Sequence, residues 1–388
     1  MNIKPRGHIL PIIILSQFAC TSLWFAGNAI VGQLALATGI GTAIVGYLLS
    51  SVQFGFILGT LVFALLMVVD RFPPARVFMG CAFLAALCNA ALLIEPMHIW
   101  IMLFARFGTG FFMAGIYPVG MKIAADYYDK GLGKALGFLV GALVLGSAFP
   151  YLVTELSLHN HTHVIKTTSV IALLGGLALW VWVPNGPYRK PSFKLQVKAG
   201  PSLFNIKAYK KATFGYFGHM WELYAFWAFT PLAIQTYNTA NNTSLSVPLW
   251  TSVIIGIGSF SCILGGMLSK KVGSRKVAWV SLLLSGIFCL LSPWSFQLPA
   301  ILFLGVWSFW GMAVISDSPQ FSTLAAAAIP PALKGTGLTL MNSIGFAISI
   351  ISIQTLSFLA DTIDTKFLFL ILFLGPFFGI WSMNKKMY

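Results

Sequence analysis

Apolar runs long enough to cross a lipid bilayer follow one another along almost the whole chain of 388 residues. A spanning helix needs about 20 mostly apolar residues, and the short polar stretches between the runs predict loops. Because a bilayer core offers no water to backbone amides, such runs fold as helices. The sequence therefore predicts an all-α integral membrane protein with twelve transmembrane helices. They are expected near residues 9–34, 42–67, 76–94, 98–125, 134–156, 167–184, 213–237, 248–269, 276–293, 298–328, 336–358 and 366–384.

Charged residues are too scarce for a soluble protein of this size. They make up 9% of the chain, and 58% of the residues are hydrophobic. Soluble domains carry about a quarter charged residues, so most of this surface must face lipid. The five cysteines lie in apolar runs without a C-x-x-C pair, and we expect buried thiols with no disulfide or metal role.

The basic residues fall in alternate connections between the predicted spans. Cytoplasmic loops carry an excess of lysine and arginine, so these connections and both termini are predicted to be cytoplasmic. The net charge of +15 then reflects topology and excludes nucleic acid as a partner. We expect a multi-pass protein of the plasma membrane, a bacterial inner membrane. The bases on the predicted inner side are Lys4, Arg6, Arg71, Arg76, Lys122, Lys130, Lys134, those within 189–211 and 270–276, Lys334, Lys385 and Lys386, whereas Arg106, Lys166 and Lys366 are exceptions.

One long basic connection and an internal echo divide the chain into two halves. The connection "PNGPYRKPSFKLQVKAGPSLFNIKAYKK" at 184–211 separates two sets of six spans. "KGLGKAL" is echoed by "KGTGLTL", and Pro118 by Pro319, in each case about 200 residues further along the chain. We expect a six-helix bundle at 1–186, a cytoplasmic linker at 187–212 and a second bundle at 213–388. Parallel repeats of this kind are typical of secondary transporters.

Two stretches resemble signatures of the major facilitator superfamily, and the resemblance extends over essentially the full length. "GMLSKKVGSRK" at 266–276 is similar to the family's loop pattern G-x-L-x-D-R-x-G-R-R, except that Lys270 replaces the aspartate. "LFARFGTG" at 103–110 resembles its span-4 pattern, whereas the antiporter pattern of span 5 is only faintly echoed. The resemblance implies two six-helix bundles around a central cavity. We expect gating at the inner face by charged residues of the two repeated loops, namely Asp70, Arg71, Arg76, Lys270, Lys271 and Arg275.

Polar residues inside the spans are candidates for the substrate site, since polar groups in a membrane turn toward the bundle interior. Gln17, Thr21, Trp24 and Asn28 form one stripe of predicted span 1, at steps of four, three and four. A stripe of this kind either lines a cavity or makes hydrogen bonds between helices. Asn342 supplies a polar group in predicted span 11, and it joins the candidate substrate-binding residues.

Arg106 lies deep in predicted span 4, with Tyr117 on the same face. A guanidinium cannot deprotonate, so it must be paired or hydrated at every stage. It either binds an anionic substrate through its two nitrogens or fixes a buried carboxylate or backbone carbonyls.

Predicted span 7 carries His219 and Glu222, flanked by Tyr224, in the stretch "GYFGHMWELYAFWAF". A carboxylate without water favours its protonated form, so Glu222 could carry the coupling proton, and the adjacent imidazole could relay it. Alternatively the pair forms a structural hydrogen bond, or Glu222 pairs with Arg106. Asp317, in predicted span 10, is either a second titrating site or a gate that pairs with bases near the inner mouth.

Motifs for other chemistry are missing from the sequence. There is no G-x-x-x-x-G-K-[ST], H-E-x-x-H or G-x-S-x-G, so we expect no ATPase and no enzyme. The histidines of "HNHTH" at 159–163 are expected in a solvated loop, and no metal or cofactor is expected.

These observations together predict a monomeric secondary transporter whose partners are a small-molecule substrate, protons and the lipid bilayer. The two bundles would rock around a midplane site, as in other transporters with such repeats. We expect proton-coupled uptake of a small organic anion or zwitterion, for example a carboxylate or a siderophore-like compound. A proton-driven exporter of drug-like compounds is the main alternative. A membrane receptor and a membrane-embedded enzyme are further ones.

Overall fold

The computed structural model describes residues 7–39, 41, 43–95, 98–128, 132–157, 160–189 and 195–384. All regular structure in these residues is helical, which confirms the predicted all-α fold. The chain divides into two compact units, Met1–Lys194 and Leu195–Tyr388. Residues 190–194 of the predicted linker, His159 and several of the terminal and loop lysines lie outside the described residues.

The first unit contains six spans, numbered here in chain order. Span 1 is made of three helices, Ile9–Thr21, Ala26–Ala29 and Val31–Thr38. Span 4 is made of two, Ile99–Met113 and Tyr117–Tyr127. Spans 2, 3, 5 and 6 are Ala43–Leu65, Pro74–Leu93, Leu132–Leu156 and His161–Trp182.

The second unit repeats this layout. Span 7 is one long helix, Lys207–Asn241, and begins before the expected residue 213. Span 8 is made of Val247–Gly256 and Gly258–Val272, and span 10 of Ala300–Ser316 and Ser318–Ala328. Spans 9, 11 and 12 are Ser274–Ser295, Lys334–Ala360 and Thr365–Asn384.

Within the described residues, ten of the twelve spans are long and apolar enough to cross a membrane by length and composition. The other two are spans 1 and 7. Span 1 is interrupted, so that its first helix, Ile9–Thr21, is short. Span 7 is long, but His219, Glu222 and its tyrosines and tryptophans dilute its apolar character. The two spans that depart most from a plain apolar helix are therefore the first of each unit.

Spans 4 and 10 break at matching places. In span 4 the second helix starts at Tyr117 with Pro118 in its first turn, and in span 10 the second helix starts at Ser318 with Pro319 in its first turn. Proline lacks a backbone N–H and clashes with the preceding turn, so it ends a helix or opens a new one. Asp317 is the residue between the two helices of span 10.

Glycines bring the spans of each unit into backbone contact at matching positions. A Cβ atom on Gly110 of span 4 would lie 1.8 Å from the carbonyl oxygen of Val52 in span 2. In the second unit a Cβ atom on Gly311 of span 10 would lie 2.2 Å from the carbonyl oxygen of Ile254 in span 8. Small residues at membrane helix contacts allow close packing. The two halves that resemble each other in sequence therefore also have the same close helix contact, between spans 2 and 4 in the first unit and between spans 8 and 10 in the second.

Candidate functional site

Glu222 lies in the middle of span 7 and exposes only 1% of its surface. Three side chains from two other spans donate hydrogen bonds to its Oε1 atom. They are the Ser285 hydroxyl, the Cys289 thiol at 3.3 Å and the Trp310 indole N–H at 2.6 Å. We call these three side chains the Glu222 cage.

The Glu222 cage supplies hydrogen bonds but no positive charge. A buried charge is costly unless it is paired with an opposite charge. Since none of the three donors is a cation, binding of a proton is the way in which this group can become neutral. All three donors reach the same oxygen, Oε1.

His219 contacts Asp317. Its Nδ1 atom lies 2.7 Å from Oδ1 of Asp317, and both side chains are almost fully buried. The rings of Tyr216 and Phe321 flank the imidazole, with centroids 5.8 Å and 6.4 Å away. In the part of the chain that the structure describes, neither ring nitrogen has a partner with hydrogen-bond geometry, so the contact of Nδ1 with Asp317 is one of ion-pair distance.

The two residues expected to act as a pair in span 7, His219 and Glu222, have different contact partners. His219 and Glu222 are one helical turn apart, but His219 contacts the joint of span 10 and Glu222 contacts spans 9 and 10 farther from that joint. The expected sharing or relay of a proton between them stays a prediction. Asp317 is in contact with an imidazole of span 7, and its expected role as a titrating site or a gate stays a prediction as well.

Arg106 is fully buried in span 4 and holds the interruption of span 1. Its Nη1 atom donates to the carbonyl oxygen of Leu23 at 3.0 Å and to Oδ1 of Asn89 at 3.2 Å, and its Nη2 atom donates to the carbonyl oxygen of Trp24. Asn89 is fixed in turn by donating to Thr168 at 3.2 Å. Of the roles expected for Arg106, the structure displays the fixing of backbone carbonyls. Its pairing with a substrate or with Glu222 stays a prediction.

The stripe of span 1 makes contacts inside the first unit. Thr21 donates to the carbonyl oxygen of Ala142 at 3.4 Å, and Asn28 to that of Val45 at 3.5 Å. The Trp24 ring packs against Phe56, with centroids 5.1 Å apart. Gln17 is buried, and both polar atoms of its amide lack a partner among the described residues.

The remaining candidates for substrate binding lie in spans 4, 7 and 11. Tyr117 is half-buried at the start of the second helix of span 4. Tyr224 is buried and packs against Phe346 of span 11 at 5.3 Å. Asn342 is half-buried in span 11. Their roles in binding stay predictions.

The charged loops expected to act in gating lie mostly on the surface. Arg71, Arg76, Lys270, Lys271 and Arg275 are exposed, and Asp70 is half-buried. Arg275 donates to the carbonyl oxygen of Met383 at the end of span 12, at 3.0 Å. In the first unit, Arg189 after span 6 donates to the carbonyl oxygens of Phe72 at 3.1 Å and of Asp70 at 3.4 Å. The gating role itself stays a prediction.

Sequence reasoning missed the partners of Glu222 and Arg106. Ser285 and Cys289 are four residues apart in span 9, so they share a helix face, and this small polar stripe was a usable signal. Asn89 was a lone amide in the apolar run of span 3. Trp310 is one of several aromatic residues in the apolar run of span 10; its ring packs against Phe226, and its N–H belongs to the Glu222 cage.

Comparison with known proteins relates the chain to membrane transporters. The family model described as Major Facilitator Superfamily matches residues 12–353. A search of curated proteins finds no match. Among solved structures, the proton:xylose symporter XylE bound to 6-bromo-6-deoxy-D-glucose has a TM-score of 0.72 at 15% identity, covering 97% of this chain and 96% of that one. The POT family transporter PepTSo has a TM-score of 0.70 at 12% identity, covering 98% and 97%.

The family match covers most of the chain, and the two solved structures share its fold over nearly their full length. The twelve spans agree with that fold. The protein is thus a transporter rather than an enzyme, and the chain belongs to the major facilitator superfamily, as the motif at 266–276 predicted.

Proposed function

We propose that this protein is a proton-coupled secondary active transporter that imports a small organic anion or zwitterion by alternating access. The observation that carries the proposal is the Glu222 cage. It holds a buried carboxylate with three neutral donors and no cation. Such a group can be charged in one state and neutral in another, which is what a proton carrier requires.

Proton coupling also has support from the comparisons. One of the solved structures that share the fold is a proton:xylose symporter by its description. At 15% identity this likeness shows the fold alone, so the argument for coupling rests on the residues of the Glu222 cage.

An anionic substrate is supported by the charge around Arg106. Its described partners are two carbonyl oxygens and an amide oxygen, all of them neutral. A buried fixed cation without a protein counter-charge attracts an anion, because unpaired buried charges are costly. A carboxylate, including a siderophore-like polycarboxylate, fits one fixed positive charge and one proton site. We propose that the polar candidates Gln17, Thr21, Trp24, Asn28, Tyr117, Tyr224 and Asn342 contribute to the binding of this solute.

The Glu222→Gln variant tests the proposal, since glutamine mimics the protonated acid permanently. A thermal-shift screen of the purified wild type against organic acids at two pH values first identifies a substrate, because a bound ligand raises stability by mass action. In proteoliposomes, Glu222→Gln should lose accumulation driven by a pH gradient. Exchange of labelled for unlabelled substrate should continue, because exchange needs no net release of a proton.

Glu95→Gln is the matched control, since Glu95 is an exposed carboxylate in a loop. It should accumulate substrate like the wild type. If Glu222→Gln still accumulates substrate with the wild-type dependence on the gradient, Glu222 is not the proton carrier. If no anion but only drug-like compounds shift the melting temperature, the substrate class is wrong and the exporter alternative gains.

A further inference from the structure

The His219–Asp317 contact is made through Nδ1, which lies 2.7 Å from the carboxylate, at ion-pair distance but outside hydrogen-bond geometry. Nε2 is also buried without a hydrogen-bond partner among the described residues. An imidazole held by a carboxylate through one nitrogen has its ring orientation fixed by that contact. The second nitrogen is then presented in a fixed direction and is ready to bind a proton.

The charge of the pair changes in a defined way when Nε2 binds a proton. With a neutral imidazole and an ionised Asp317, the pair has a net charge of −1. When Nε2 accepts a proton, the imidazolium and the carboxylate form an ion pair with a net charge of zero. In a buried site, neutralising an uncompensated charge is favourable, so proton binding suits these surroundings.

Among the described residues of the second unit, no lysine or arginine is found beside the pair to balance its negative charge. Toward the pair, span 7 itself presents Tyr216 and Glu222, and span 8 presents Cys262. The bases of spans 8, 9, 11 and 12 lie at helix ends, as Lys270, Lys271, Arg275, Lys276, Lys334 and Lys366. The groups around the pair are therefore acidic or neutral.

The pair and the Glu222 cage have different contact partners. Glu222 receives its hydrogen bonds from Ser285, Cys289 and Trp310, none of which contacts His219. Trp310 lies about two turns before Asp317 along span 10, because a helix has 3.6 residues per turn. The two acidic sites thus share span 7 but have different partners.

We propose that His219 and Asp317 form a second proton-binding site, at which Nε2 of His219 takes up the proton while Glu222 binds another. The proposal rests on the proposed proton-coupled transport and adds that the second unit binds two protons. Asp317 lies at the joint between the two helices of span 10. A change in the angle of that joint would therefore change the His219–Asp317 contact, and with it the affinity for the second proton.

Nuclear magnetic resonance of protein labelled with ¹⁵N in the imidazole rings tests the proposal without a substrate. The chain has six histidines, and the His219→Gln variant identifies the signal of His219. In the purified wild type, this signal should change from a singly to a doubly protonated ring as the pH is lowered stepwise over the range in which the protein stays folded. The same change should persist in Glu222→Gln and be absent in Asp317→Asn.

Asp317→Glu and His163→Gln complete the set of variants. Asp317→Glu keeps the negative charge, so it should retain the titration of His219 and show whether loss in Asp317→Asn is merely a folding defect. His163 is exposed, and its replacement should leave the His219 signal unchanged. The proposal is overturned if His219 stays singly protonated over the whole range in the wild type, or if Asp317→Asn titrates like the wild type. It is also overturned if Glu222→Gln abolishes the titration, since the two sites would then be one.

The result is independent of the transport assay with Glu222→Gln. If that variant transports like the wild type while His219 titrates as expected, Glu222 is wrong as the carrier and the second site stands. If Glu222→Gln loses coupling while His219 does not titrate, the proposed function stands with one proton site.

Discussion

Arg106 stabilises the first unit by joining three separate segments through one side chain. Its guanidinium reaches the carbonyl oxygens of Leu23 and Trp24 and the amide oxygen of Asn89. The first two lie at the interruption of span 1, where the regular helix hydrogen bonds stop. The planar fork of a guanidinium suits several acceptors at fixed angles, whereas a lysine ammonium is a compact point charge.

We expect Arg106→Lys to destabilise the protein although the charge is kept. Each hydrogen bond to a charged group contributes about 1.5–3 kcal/mol, and the shorter side chain cannot reach all three acceptors. Thermal unfolding of the purified protein should show a clearly lower melting temperature. Arg71→Lys is the control, because Arg71 is exposed. Equal melting of Arg106→Lys and the wild type would contradict the role of the three contacts.

The residues of the candidate site were only partly predictable from the sequence. Arg106, His219, Glu222 and Asp317 were recognisable because ionisable groups inside apolar spans are rare. Their partners were not, since Ser285 and Trp310 are 63 and 88 positions from Glu222. Side chains so far apart in the sequence meet only if the helices have the right rotation and packing. Hydropathy predicts neither of these.

At the scale of helices, the contact of spans 7 and 12 depends on two glycines. A Cβ atom on Gly218 would lie 2.3 Å from the carbonyl oxygen of Gly375, and a Cβ atom on Gly375 would lie 2.3 Å from that of Gly218. The clash in both cases is with backbone, which cannot move aside as a side chain can. This contact packs span 7, which carries His219 and Glu222, against span 12.

We expect Gly218→Ala to destabilise the second unit by about 1–3 kcal/mol, the usual cost of overpacking. Gly305→Ala is the matched control, because Gly305 lies inside a helix of span 10 and a Cβ atom there would have no neighbour within 4 Å. It should melt at the wild-type temperature or slightly above, since alanine is the better helix former. If both variants melt at the same temperature, spans 7 and 12 can move apart to accommodate the methyl group without loss of stability, and the contact is less important than we expect.

The number of spans could be predicted from the sequence, whereas the breaks within spans 1 and 10 could not. The length of an apolar run is set by the bilayer, so twelve spans followed from hydropathy alone. The interruption of span 1 at residues 22–25 was not expected, because "TSLWFAGN" contains no proline and is held by a tertiary contact with Arg106. The break of span 10 had a local signal in the sequence, namely Pro319. We used this proline as evidence of the internal repeat and did not predict a break from it.

At the scale of the whole molecule, the distribution of lysine and arginine predicts the orientation in the membrane. Asn242 follows span 7 on the side predicted to be external, and Lys271 ends span 8 on the side predicted to be cytoplasmic. Both residues are exposed. The five native cysteines are buried or half-buried, so they should react little with polar reagents.

We therefore expect a membrane-impermeant thiol reagent to label Asn242→Cys in intact cells. Lys271→Cys should be labelled only after the membrane is permeabilised, because its loop is expected in the cytoplasm. The wild type, with its own cysteines alone, is the background control. If Lys271→Cys is labelled in intact cells and Asn242→Cys is protected, the protein has the orientation opposite to the predicted one.

The chain positions of the partners of Arg106 and Glu222 have a consequence for synthesis at the ribosome. Arg106 bonds to Leu23, Trp24 and Asn89, all translated earlier, whereas Glu222 bonds to Ser285, Cys289 and Trp310, all translated later. A charge in a spanning helix raises the insertion free energy by about 3 kcal/mol. Span 4 can thus leave the translocon into a bilayer that already holds its acceptors. Span 7 enters before its donors exist, so nascent chains that stop between spans 7 and 9 would be the ones most exposed to membrane quality-control proteases.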